Sequence, residues 1–431
     1  MTTLSKKLAA ATCALLGTTV VTPVDAQEEP NWDFNTSLLY YGEDGDRVQD
    51  VSFKSLARRL YTDDRTLSLG LTIDTLTGAT PNGAIRQDTA QTFTRPSGNG
   101  SYEVPAGELP LDDTFKDTRL ALTAGWQQPA GAKGLLSIGI SASKEYDYLH
   151  TGLNASYAHD FNKRNTTVSA GFAFAKDSIQ PVGGAPISFT PMLDVGDISN
   201  RVGDQDKDIL DFVLGVTQVV SRDILVQLNY SYSRSEGYLN NPYKVLSVVD
   251  SDTGDTVPQT PGPDGGPSGV FLFEGRPEER TQHSVYTQAK YNMNGKVLDV
   301  SYRYMTDDWE IDSHTIDVRY RWPMGDRSYL EPHLRFYTQT EADFYHLSLD
   351  ESVPLPPYAS SDYRMGNFDG TTIGLKYGWK TGNDNDMSVR VEWYTQSGSV
   401  PADQLIGNQV GRDNYPDLNA LIVQFSYRFS H

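Results

Sequence analysis

Between Lys296 and Gln339 apolar and polar side chains alternate with period two through three consecutive segments, each reversed by a short polar turn. In the first, Leu298, Val300, Tyr302 and Tyr304 share one face and Asp299, Ser301, Arg303 and Met305 the other, because successive strand side chains point to opposite sides. In the second, Ile316, Val318, Tyr320 and Trp322 alternate with Thr315, Asp317, Arg319 and Arg321. In the third, Leu330, Pro332, Leu334 and Phe336 alternate with Glu331, His333, Arg335 and Tyr337. The pattern predicts three antiparallel strands with one aromatic, apolar face and one charged face. A soluble sandwich of this length would also show helices or continuous apolar core strands, and the sequence offers neither. A membrane barrel with a wet lumen fits.

The same alternation recurs along the chain, near 31–40, 51–61, 67–74, 119–126, 136–143, 151–161, 166–175, 208–220, 225–235, 281–291, 370–379, 387–396 and 418–429, and gives about sixteen strands in all. Tight polar turns at 62–66, 129–134, 162–165, 221–223, 292–296, 323–327 and 380–386 alternate with connections that are mostly long. The long ones, 75–117, 177–206, 236–280, 341–367 and 397–415, are rich in Gly, Pro and Asp and carry no periodicity, so they read as extended loops; those at 42–47, 144–150 and 306–312 are short. Such alternation predicts an all-β, antiparallel transmembrane barrel of about sixteen strands, with short periplasmic turns and long extracellular loops. The last strand places Leu421, Val423, Phe425, Tyr427 and Phe429 at every second position, an ending similar to the carboxy-terminal signal of bacterial barrels, with the aromatic at Phe429 instead of the terminal His431.

Composition changes the picture little. The 431 residues are 38% hydrophobic, 11% aromatic and of mean hydropathy -0.47. Hydropathy alone suggests a soluble chain, but only half of each barrel strand faces lipid, so a low average with abundant aromatics is what a barrel gives. The first 26 residues read as a secretory signal peptide: Lys6 and Lys7, an apolar run from Leu8 to about Val21, and Val24-Asp25-Ala26 before Gln27. Residues 27–431 then form a single barrel domain in the outer membrane of a Gram-negative bacterium. Removing the leader takes away two positive charges and one negative, moving the formal charge from -20 to -21 and arguing against nucleic-acid partners. Cys13 is the only cysteine and lies in the leader, so the mature chain has no thiol for a disulfide, a metal thiolate or covalent haem, and no cofactor is expected.

The candidate chemistry is electrostatic. Arg303, Arg319 and Arg335 are expected at comparable heights on adjacent strands, with Arg321, Asp299, Asp317 and Glu331 near them and Arg390 and Glu392 on a later strand. These lumen-lining candidates form either a charged constriction that sets ion preference, or a mutually neutralising ladder on a wet wall. Ser313-His314 and His283-Ser284 are adjacent Ser/His pairs, but neighbours on a strand point apart and cannot act as nucleophile and base, so no catalytic residue and no enzymatic activity is expected. The acidic run Asp250 to Asp255 lacks the distal bidentate Glu of a calcium loop and reads as a flexible loop; Asn383 to Asp386 reads as a hairpin turn.

Several segments resemble a family of bacterial outer-membrane proteins known as domain of unknown function 3570. They are Asp74-Thr75-Leu76-Thr77-Gly78-Ala79-Thr80-Pro81, Asn241-Pro242-Tyr243-Lys244, Glu274-Gly275-Arg276-Pro277 with Glu279-Arg280, Ser301-Tyr302-Arg303-Tyr304 with Asp307-Asp308-Trp309, and Arg335-Phe336-Tyr337. The resemblance implies a barrel without assigned site residues, and a link to cell-envelope redox systems. The expected function is a porin-like channel for small polar solutes, whose partners are outer-membrane lipid, lipopolysaccharide and the barrel assembly machinery. The alternative is a barrel that docks or sheaths a flavin or haem redox partner; a hydrolase is a third, weaker reading.

Overall fold

The computed structural model describes residues 31–45, 47–259, 268–382 and 385–431; the expected signal peptide and part of the expected turn at 383–386 lie outside them. Sixteen strands close into one antiparallel barrel. In chain order they are β1 (Asn31–Glu43), β2 (Gln49–Leu60), β3 (Thr66–Pro81), β4 (Leu111–Ala130), β5 (Gly134–Lys144), β6 (Tyr148–Phe161), β7 (Thr166–Ile179) and β8 (Gln205–Val219), followed by β9 (Ile224–Gly237), β10 (Glu279–Met293), β11 (Lys296–Asp307), β12 (Asp312–Pro323), β13 (Ser328–Gln339), β14 (Asn367–Lys380), β15 (Asp386–Ser399) and β16 (Leu418–Ser430). Each strand pairs with its sequence neighbours, and β1 pairs with β16 to close the ring. The closing seam sets Phe34 opposite Phe429, and Trp32 and His431 exchange backbone hydrogen bonds of 3.0 and 2.8 Å.

One end of the barrel carries only tight turns. Asn294 and Gly295 join β10 to β11 with φ of 54° and 89°, the positive pair that a two-residue hairpin needs to match strand twist. At the other end the five long connections rise between strands. β3 and β4 run well past the expected 67–74 and 119–126, and a bulge lies between Gly78 and Thr80. Hydrophobic alternation is enforced only where side chains meet an apolar surround, so the strand ends beyond that band leave no periodic trace.

The outward face is mainly apolar. Leu38, Phe53, Leu122, Ile140, Leu153, Phe172, Leu214, Leu228, Ile316, Phe336 and Ile373 are all exposed. The opposite parity carries Asp, Arg, Lys, Ser, Thr and Gln. A closed ring leaves no unpaired backbone edge, and an apolar exterior around a polar interior is what a hydrocarbon surround demands. Among the described residues no helix is long and apolar enough to cross a membrane, so any crossing is made by strands.

The largest buried apolar clusters lie outside the barrel wall, where the long loops expected to be merely extended fold against one another. Ala84, Phe93 and Val104 from the β3–β4 loop pack with Met192 from the β7–β8 loop and Val245, Phe271 and Phe273 from the β9–β10 loop. Leu246 and Leu272 pack with Leu349 and Ala359 of the β13–β14 loop, which also sends Phe344 against Trp309. Short pairings stitch this cap: Gln91–Thr94 with Ser101–Val104, and Val245–Val249 between Phe271–Phe273 and Leu349–Asp350. Asp250 accepts from the Thr253 backbone at 2.8 Å, and Gly254, at φ 73°, sits where any Cβ would strike the Ile406 carbonyl. The acidic run is therefore an ordered turn within the cap, and the expected flexible loop is corrected here.

Facing gives the first test. Val300, Val318 and Leu334 share the outward parity of Tyr302, Ile316 and Phe336, which are 39%, 44% and 46% exposed. Arg at Val300 should destabilise the folded barrel by about 2–4 kcal/mol, and Arg at Ser301 by far less. Equal losses in a folding titration would invert the assigned faces.

Candidate functional site: a charged wall beneath a loop cap

Strands β11 to β15 stack their enclosed side chains in registered rows. One row runs Asp299, Arg319, His333, Gly374, Glu392. The next, toward the loops, runs Ser301, Asp317, Arg335, Thr372, Tyr394, and the one beyond it Arg303, Thr315, Tyr337, Gly370, Gln396. The three arginines expected at comparable heights thus occupy three different rows: Arg319 lies two inward positions from the register of Arg303, and Arg335 one inward position from that of Arg319.

Most of the wall is paired. Arg319 Nη2 lies 3.2 Å from Asp317 Oδ2, Arg321 Nε lies 2.9 Å from Glu331 Oε2, and Arg390 Nη1 lies 3.7 Å from Glu392 Oε1. Asp299 receives Lys290 at 3.3 Å and the Gln288 amide at 2.7 Å. Among the described residues Arg303 and Arg335 have no ion pair, and both are exposed to the interior. Seven of the nine candidates are thus engaged in pairs, while two cations are left over.

His333 is the member of this wall that sequence reasoning did not single out. Its Nε2 is 2.8 Å from Asp317 Oδ2 and its Nδ1 2.7 Å from Glu392 Oε1, so one imidazole bridges carboxylates from β12 and β15. Glu392 reaches it across β14 only because Gly374 has no side chain: a Cβ there would meet Glu392 Cγ at 2.6 Å. The signal was a strand glycine opposite a histidine, legible only with the register known. The adjacent Ser/His pairs do point apart. His314 turns outward to Tyr302 Oη at 2.7 Å while Ser313 is buried, and His283 bonds Tyr230 Oη at 2.9 Å with Ser284 on the other face.

At the loop end, bounded by β2 to β4, β6 to β10 and the cap, lies a cavity of about 1240 Å³ lined by polar and aromatic groups, Asp74, Arg119, Tyr148, Lys207, Trp309 and Arg364 among them. Also in its lining, Asp117, Glu145 and Asp147 bring three carboxylate oxygens within 4.8 Å of one another, which is the residue set here that could hold a cation. Burial, with Asp117 beside it, pushes the Glu145 carboxyl up to about 7.

The cavity roof is locked by a buried ionic cluster. Arg276 Nη2 donates to Glu274 Oε2 at 3.0 Å and to Asp362 Oδ2 at 2.9 Å, and Arg364 grips both oxygens of Asp362 at 2.6–3.1 Å. Ser360 Oγ and the Asn241 backbone complete Glu274, and Lys244 donates to the Pro81 carbonyl. Asp362, Glu274 and Lys244 are all buried. Burial would raise the Asp362 carboxyl, but Arg364, Lys244 and Arg276 outweigh it and hold it well below the usual carboxylate range. Burial pushes the Lys244 ammonium down to about 8. This cluster ties the β9–β10 loop to the β13–β14 loop and both to the end of β3.

Removing Asp362 would leave the buried side chains of Arg276 and Lys244, with the exposed Arg364 beside them, facing one remaining acid, a loss of about 3–5 kcal/mol of cap stability. Asp362→Ala should therefore raise protease cleavage of the loops at least about a hundred-fold, at 1.4 kcal/mol per factor of ten, with the barrel still folded. Unchanged cleavage would show that the cap is held by its apolar clusters alone. The pH dependence follows. The depressed Asp362 stabilises fully above the ordinary carboxylate value of 3.8 and loses that contribution as pH falls below it. The depressed Lys244 opposes the fold while protonated, so its penalty fades as pH rises from about 8 toward 10.5. Loop cleavage should be fastest in acid below about pH 4 and should keep slowing as pH rises from about 8 toward 10.5.

Comparison with known proteins places the chain in context. No curated protein matches it. Among solved structures, a bacterial polysaccharide outer membrane secretin is similar at 9% identity and a TM-score of 0.43, over 94% of this chain and 99% of that one. The outer membrane protein opdK from Pseudomonas aeruginosa is similar at 10% identity and a TM-score of 0.39, over 94% and 100%. OmpT of Vibrio cholerae is similar at 10% identity and a TM-score of 0.40, over 94% and 99%. The family model described as "Protein of unknown function (DUF3570)" matches residues 5–429, nearly the entire sequence, and the chain belongs to that family.

Proposed function

We propose that this protein is an outer-membrane channel of a Gram-negative bacterium, passing small polar solutes along an interior wall that favours anions. The carrying observation is the pair of exposed, unpartnered cations, Arg303 and Arg335, in adjacent rows of a wall whose other candidate charges are engaged. Fixed charge at a pore wall sets ion preference because solutes pass within a Debye length, about 8 Å at physiological salt, whereas acids in distant loops are screened. The loop cap and its cavity favour small solutes over large ones. The alternation of tight turns with long loops supports an orientation with the cap outside the cell and both termini in the periplasm.

Planar-bilayer conductance in a salt gradient is the test. Replacing Arg303 and Arg335 together by Gln should move the reversal potential toward cation preference, and replacing the paired Arg319 should move it less. A reversal potential indifferent to the double change would remove these residues from any conducting path, and an absence of conductance would sink the channel. Epitope tags near residues 90, 190 and 350 should label on intact cells; labelling only after the outer membrane is opened would reverse the orientation.

A further inference from the structure

We infer that the outer surface of β1 to β4, at the tight-turn end, holds the phosphodiester of one glycerophospholipid. The inference rests on the membrane-barrel reading for its setting, and on a stack of five side chains for its chemistry. Trp32, Arg59, Leu67 and Trp126 form one outward register row across β1, β2, β3 and β4. The Arg59 guanidinium lies between two rings, 5.7 Å from the centroid of Trp32 and 5.2 Å from that of Tyr61. The Arg65 guanidinium repeats the arrangement one step on, 5.9 Å from Tyr61 and 5.5 Å from Trp126. Rings and cations alternate along the rim.

Arg59 has no acidic partner among the described residues, and its Nε is shut in without a hydrogen-bond partner. Arg65 is shared with Asp63 at 2.5 Å, in a pair about half exposed. With Asp63 and Asp64 both in the turn that carries Arg65, the match rests on the Arg59 guanidinium, whose one positive charge lacks an acidic partner among the described residues and meets the single negative charge of a phosphodiester. A guanidinium fork suits phosphate oxygens, and stacking on two rings fixes its plane beforehand. The setting supplies the rest of a lipid. Aromatic side chains continue the rim through Phe34, Phe429 and Tyr427, with centroids 5.0–6.0 Å apart, the level at which headgroups meet an apolar belt. From the stack, Leu69 and Ile73, 42% and 39% exposed, run along β3 into that belt, where an acyl chain would lie. A free phosphate would use none of that surface.

The test is native mass spectrometry of the detergent-purified, full-length mature barrel titrated with phosphatidylglycerol, with diacylglycerol, and with inorganic phosphate. The wild type should retain one phosphatidylglycerol in preference to either. Arg59→Gln should weaken that retention about ten-fold, Arg65→Gln by less, and Arg59→Lys should restore part of it. Equal retention by wild type and both Gln variants, or equal retention of diacylglycerol, would overturn the inference; capture of inorganic phosphate at the same concentration would make the site an anion site and not a lipid site. Should Arg59→Gln not fold, Arg65→Gln and Arg59→Lys carry the comparison. The measurement needs neither a pore nor an orientation, so a barrel that fails to conduct leaves this result readable.

Discussion

A strand in hydrocarbon has no water to satisfy its amides, and the whole architecture follows from meeting that condition with a closed ring. β16 has to find β1 across nearly the full length of the sequence, and it does so in a register that sets Phe34 against Phe429 and joins Trp32 to His431. Once the ring is closed, parity along each strand assigns every side chain to lipid or lumen, and a shift of one residue would exchange the two sets. The apolar exterior thus does not form the protein's core. It is held by solvent exclusion around the barrel, and the interior is free to be polar.

That freedom explains why the buried apolar residues gather in the cap. Phe93, Phe271, Leu246 and Val249 are fully buried, and all belong to connections. Loops that reach into water need ordinary stabilisation: an apolar cluster, paired backbone and satisfied charges. The cap has each of these, including the Glu274–Arg276–Asp362–Arg364 cluster, whose groups come from two loops that are otherwise joined by short pairings such as Val248 with Leu349 and Gly275 with Ala359. Buried ion clusters add little net stability over apolar packing but penalise misplacement heavily, since a lone buried charge costs several kcal/mol. In this protein that asymmetry fixes where the roof sits over the cavity.

The barrel was legible in sequence because period-two alternation is enforced wherever lipid touches one face, and the tight turns carry their own residues, such as Asn294-Gly295. The cap was not. Its strands are two to five residues long and its contacts join residues over a hundred positions apart, as when Ser361 Oγ donates to the Val245 carbonyl, so no local period records them. The wall was legible by face but not by pairing. Alternation placed Arg303, Arg319 and Arg335 on one side, yet only the register separates Arg319, 3.2 Å from Asp317, from Arg335 in the Asp317 row without an ion pair. His333 stayed hidden for the same reason, its second partner lying two strands away across Gly374.

Formal charge and local charge part company in such a structure. A chain of formal charge -20 would repel anions if its charge were spread evenly, but the acids of the wall are engaged by Lys290, Arg319, His333, Arg321 and Arg390. Many of the remaining acids lie in the cap and turns. An interior whose fixed charges are mostly cancelled amplifies the few that are not, because a solute crossing it passes the same neutral pairs whichever its sign. If the barrel conducts, Arg303 and Arg335, one row apart on this wall, bias the local field toward anions.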